Sequence, residues 1–144
     1  MRKLLSILIL AVVWGCGEDV AFEESPTIDL VKIGPSTVVE LQDSIYIEIS
    51  YEDGDGDLGE NAPDAKNFFL RDERIDLTYL YRISELAPSG SDVPIKGKLI
   101  LILPNTVITN GSTQEEVTYS IWVKDRAGNK SNTLTAGPIT VVQP

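Results

Sequence analysis

The sequence predicts an all-β protein, a two-layer antiparallel sandwich of about seven strands. Three observations carry this. Ser44–Tyr51 alternates without a break, setting Ile45, Ile47, Ile49 and Tyr51 on one face, and Val117–Lys124 does the same with Val117, Tyr119, Ile121 and Val123. A period of two is the mark of a strand with one buried face. Turn formers recur at short intervals: Gly34-Pro35, the Gly/Asp run over 53–59, Pro88-Ser89-Gly90, Asn110-Gly111 and Gly128-Asn129. Beyond the first sixteen residues no stretch carries a helical period. With 144 residues, 42% of them hydrophobic and 24% charged, the chain has material for one domain with a packed core.

The first segment, 1–15, reads as a leader. Arg2 and Lys3 precede the apolar run Leu4–Val13, which as a helix rises about 15 Å, half the hydrocarbon thickness of a bilayer. That length suits a signal peptide and falls short of a membrane span. The run ends in Val13-Trp14-Gly15-Cys16, which resembles the lipobox of bacterial lipoproteins. The resemblance implies cleavage before Cys16, acylation of its thiol, and attachment of the chain to a lipid bilayer. In such lipoproteins an Asp after the Cys signals inner-membrane retention. Gly17 stands here, which favours the outer membrane and leaves the periplasmic or cell-surface side open. Cys16 is the one cysteine of the chain, so once it is acylated no thiol remains for a disulfide, a nucleophile or zinc. Residues 16–26 are then a lipidated Cys and a flexible tether, charged and without apolar period.

The domain, 27–144, is divided by its turns into strands at Thr27–Ile33, Thr37–Leu41, Ser44–Tyr51, Asn67–Arg71, Leu77–Ile83, Ile95–Leu103, Val117–Lys124 and Pro138–Val142. Ile95–Leu103 ends in Leu-Ile-Leu-Ile-Leu, apolar on both faces, and is expected to be a central strand. The segment from Glu116 to Asn132, with Tyr119, Val123, Asp125, Gly128, Asn129 and Ser131 at their places and Ile139–Val142 after it, resembles the last two strands of bacterial Ig-like and fibronectin-III-like domains. The resemblance implies an immunoglobulin-like sandwich with Tyr119 at a tyrosine corner. The Cys pair and the Trp of antibody domains are missing.

Chemistry concentrates in two loops. Asp53-Gly-Asp55-Gly-Asp57-Leu-Gly59-Glu60 places carboxylates at alternate positions in a glycine-rich turn, the kind of segment that supplies several oxygens to a hard cation such as Ca²⁺. The spacing resembles the loops of EF-hand, dockerin and thrombospondin-type calcium sites. Leu58 stands where an EF-hand needs Gly, and a strand precedes the loop, which excludes the EF-hand itself. Strands Ser44–Tyr51 and Val117–Lys124 run the same way in such a sandwich, so the loops after them emerge at one end. Asp125 and Asn129 are thereby expected to add oxygens to those of Asp53, Asp55 and Asp57. The competing reading is an acidic solvated turn, since Asp and Gly suit turns without any ion.

Composition narrows the function. Twelve Lys and Arg against 22 Asp and Glu give a net charge of −10, which repels phosphate backbones and argues against nucleic acid. Histidine is absent, which removes imidazole triads and proton shuttles. Several acids clustered in one loop lack the asymmetry a glycosidase pair needs, so no enzyme activity is expected and a small hydrolase is the weakest reading. Trp122 falls out of phase with the buried residues of its strand and is expected to face outward, with Phe69 and the Tyr79/Tyr81 pair on the same face. Tyr46 is expected outward on the other sheet. An exposed aromatic patch of that kind stacks on sugar rings, which makes a carbohydrate-binding surface lipoprotein the alternative. The expectation is an envelope-anchored lipoprotein with a binding or structural domain, calcium-stabilised at one end, whose protein or glycan ligand the sequence leaves unidentified.

Overall fold

The computed structural model describes residues 23–144. The expected leader and Cys16, and most of the tether, lie outside them. Among the described residues the chain is all β, with eight strands: β1 (Thr27–Gly34), β2 (Thr37–Val39), β3 (Ser44–Asp53), β4 (Phe68–Asp72), β5 (Leu77–Tyr81), β6 (Ile95–Pro104), β7 (Gln114–Val123) and β8 (Leu134–Val142). They form two sheets, one ordered β1-β3-β6 and the other β2-β8-β7-β4-β5. Pairing is antiparallel throughout except for β2, which runs parallel to β8.

The core follows from alternation. Ile45, Ile47 and Ile49 of β3 face Val117, Tyr119, Ile121 and Val123 of β7 across the sandwich, all of them buried. Phe68 and Leu70 of β4 and Ile139 and Val141 of β8 complete the second inner face. Fully burying an aliphatic side chain of this size is worth about 1.5–3 kcal/mol, so this double row supplies the main driving force. Tyr119 is buried, and burial pushes its hydroxyl up to about 12.

Two expectations are corrected. Among the described residues β6 is an edge strand, paired to β3 on one side only, and nothing among them covers its apolar outer face, where Ile100 and Ile102 are 62% and 52% exposed. An all-apolar run fixes strand character but not its place in the sheet. Tyr79 and Tyr81 do not share the face of Trp122: they stand opposite Leu70 and Phe68 in the β4–β5 register, on the inner face.

Candidate metal centre

β3 and β7 run the same way, and the loops that follow them meet at one pole. The inward phase of β3 continues beyond Tyr51 to Asp53, whose side chain is fully buried. The inward phase of β7, Val117 to Val123, continues one place past the strand to Asp125, also buried. The alternation that builds the core thus delivers two carboxylates to its end. Asp57 reaches them from the tip of the β3–β4 loop. Carboxylate oxygens of Asp53, Asp57 and Asp125 all lie within 4.8 Å of one another.

Backbone amides fix this cluster from both loops. Leu58 N–H donates to Asp53 Oδ2 at 2.7 Å, and Ala127 N–H donates to Asp57 Oδ2 at 3.0 Å. Arg126 N–H donates to the Asp57 carbonyl at 3.3 Å, tying the second loop to the first. Leu58, fully buried beneath the loop, anchors it to the core. Two glycines permit the path. Gly56 and Gly59 have φ of 71° and 92°, and a Cβ on either would collide with a carbonyl oxygen, of Val93 and Ser84 respectively.

Each anchored carboxylate keeps its second oxygen unused. Asp53 Oδ1 and Asp57 Oδ1 are buried and have no hydrogen-bond partner. Among the described residues no cation bonds to them: Arg126, whose charge eases Asp57, turns Nη1 to the Gly59 carbonyl at 2.8 Å and lies 3.8 Å from Glu85. Full charges at about 4.8 Å repel by about 3 kcal/mol at an effective dielectric of about 20. The protons respond. Burial, with further repulsion from Asp55, Asp57 and Asp125, raises Asp53 to about 6 against the pull of the Leu58 amide. Burial, then Asp125 and Asp55, raises Asp57 as well. A buried acidic triad with orphaned oxygens can hold a metal ion. Oxygens bound to one calcium at about 2.4 Å stand at most about 4.8 Å apart, and one oxygen from each of the three carboxylates lies within that distance of the others.

The other residues expected at the site take different parts. Asp55 sits at the loop surface, accepts from Asp57 N–H at a long 3.4 Å, and lines an open cavity with Glu24, Asp57, Ser91, Asp92 and Arg126. Asn129 holds Asp125: its backbone N–H donates to Oδ1 at 2.7 Å and its Nδ2 to Oδ2 at 2.8 Å. Trp122 does lie on the outer face, stacked on Phe69 with centroids 5.2 Å apart and planes 3° from parallel. The Lys130 ammonium sits 4.6 Å from the Trp122 centroid.

Asp53 and Asp125, both expected from the sequence, carry a signal beyond the motif: each is the next inward position of its alternating row. Comparison with family models, with curated proteins and with solved structures finds no match to this chain.

Proposed function

We propose that the chain is a lipid-anchored protein of a bacterial envelope whose immunoglobulin-like sandwich does binding or structural work and takes a calcium ion at Asp53, Asp57 and Asp125. One observation carries the calcium reading: Asp53 Oδ1, in a fully buried side chain, has no partner within a cluster of three carboxylates. An unsatisfied buried anion is costly, and a divalent ion turns the repulsion into attraction. The donors are all oxygens, which suits a hard cation. In this reading the ion clamps the β3–β4 loop to the β7–β8 loop. Gly54 N–H donates to the Glu23 carbonyl at 2.9 Å, so the clamp also borders the point where the chain enters the domain. The lipid anchor rests on Val13–Cys16, and the immunoglobulin-like assignment on the Glu116–Asn132 pattern and the strand order.

The test is a thermal melt of the soluble chain from Gly17 onward, in EDTA and in millimolar Ca²⁺. At about a hundred times the dissociation constant the ion adds about 2.7 kcal/mol, on the order of 10 °C for a domain of this size. Asp53→Asn with Asp57→Asn removes the response. An equal melt in EDTA and calcium overturns the reading.

A further inference from the structure

The two sheets differ in breadth: three strands face five. β1 packs on β8, which puts β3 over β7 and β6 over β4. β5 is left with no strand of the first sheet opposite it. The place beside β6 is an apolar groove of about 280 Å³, with Leu99 and Leu101 on one wall and Tyr81 and Leu86 on the other. These side chains pack on the core yet stay only partly buried. β6 itself runs for ten residues, and among the described residues nothing pairs its outer edge.

We propose that this place takes an extended segment of a partner protein, added to β6 as a fourth strand, with apolar side chains turned into the groove and acidic ones turned outward. Three features choose that occupant. An unpaired edge offers a row of backbone donors and acceptors that only another extended backbone satisfies along its length. A strand in that place sets every second side chain against Tyr81, Leu86, Leu99 and Leu101, so its inward residues are apolar. The rim carries cations although the chain has a net charge of −10: Lys96 stands exposed on the outer row of β6, Arg82 lines the groove, and no carboxylate lines it, while Lys98 on the same row is paired with Glu48 at 2.7 Å. A second copy of this chain fits poorly. Pairing β6 to β6 about a twofold axis brings both β5 strands over the same place.

The probe is a fluorophore-tagged ten-residue peptide alternating valine and glutamate, titrated with the chain from Gly17 onward and read by fluorescence anisotropy. Two other peptides serve as comparisons: one of the same composition with valines and glutamates in separate blocks, and one alternating valine and lysine. Saturable binding of the first, at least tenfold tighter than either comparison, is expected. Lys96→Gln should weaken it about threefold, while Leu80→Glu, on the outer face of β5, leaves it unchanged. Amide shifts in NMR should concentrate on Ile95–Pro104 and Tyr81–Leu86. Equal affinity for the block peptide, no saturable binding, or shifts confined to another edge overturns the proposal. So does light scattering that finds a dimer broken by Ile100→Lys, which would give the edge to a second copy. None of these readouts depends on calcium.

Discussion

Each pole of the sandwich buries an aspartate at the end of an inward-facing row, and the two poles treat it in opposite ways. Asp72 closes β4 behind Phe68 and Leu70 and is 2% exposed. Arg74 meets it with two bonds, Nε to Oδ1 at 3.0 Å and Nη2 to Oδ2 at 2.7 Å. The same guanidinium donates to Glu115 at 3.0 Å and to the Val107 carbonyl at 2.9 Å. At the other pole Asp53 is as deeply buried, with two more carboxylates beside it and no guanidinium bonded to any of them. Three carboxylates share one place there, with Arg126 near Asp57 but bonded elsewhere, and such a cluster can hold a metal ion. The first pole is a finished structural joint, because its cation is written into the chain.

The difference can be removed from the finished side. Arg74→Met strips the cation from Asp72 and Glu115 and leaves both partly or fully buried without it. Breaking a buried pair from one side costs about 3–5 kcal/mol. Urea denaturation at pH 7 should show that loss. A loss under about 1 kcal/mol would mean that Asp72 does not need its partner and that the contrast between the poles is only geometric.

Acid acts on the unfinished side next. In EDTA, Asp53 has a folded-state value of about 6, above the ordinary carboxylate value of about 4 in the unfolded chain. The native state therefore holds an extra proton between about pH 4 and pH 6, and stability falls as pH rises through that window. Two pH units of difference correspond to about 3 kcal/mol. The metal-free wild type should accordingly lose stability between pH 4.5 and pH 7 relative to Asp53→Asn. The two urea midpoints measured at each pH isolate this group from the other carboxylates. Parallel pH profiles for the two proteins would show that Asp53 is ionised without penalty, and the demand for a cation would vanish with it.

Much of this was legible before any coordinates. The Ile45–Tyr51 and Val117–Val123 rows give both inner faces, and the shared direction of their strands brings the Asp-rich loop to the Asp125 turn. The sorting of acids within the site was not. Asp53, Asp55 and Asp57 look equivalent as a motif, but one fills the inward phase of β3, one stays half-buried beside the cluster and accepts from the loop backbone, and one folds back over the first under the pull of Ala127 N–H. The edge position of β6 was hidden for a different reason. Leu99, Ile100, Leu101 and Ile102 are apolar on both faces, and composition alone does not distinguish a strand covered twice from one whose outer face is bare. Arg74 escaped notice because its partner Glu115 lies 41 residues away and meets it only through the pairing of β4 with β7.

The finest distinction concerns Asn129, a residue that holds a carboxylate without needing to touch an ion. Both Asp125 oxygens accept from it, at 2.7 and 2.8 Å, which fixes the side chain in the orientation that points at Asp53 and Asp57. Partners of this kind tune affinity by about 10–100-fold when removed, while loss of a ligand abolishes binding. Asn129→Ala keeps all three carboxylates and the backbone bond to Asp125 Oδ1, and removes only the Nδ2 bond to Oδ2, so calorimetric titration with Ca²⁺ should report a dissociation constant raised about tenfold with stoichiometry unchanged. Asp125→Asn, which keeps the shape and removes the charge, should leave no measurable heat. Equal losses in the two variants would make Asn129 a direct ligand and enlarge the site to four residues. No loss in Asn129→Ala would mean that the backbone N–H of residue 129 alone suffices to hold Asp125, as Arg74 suffices for Asp72 at the opposite pole.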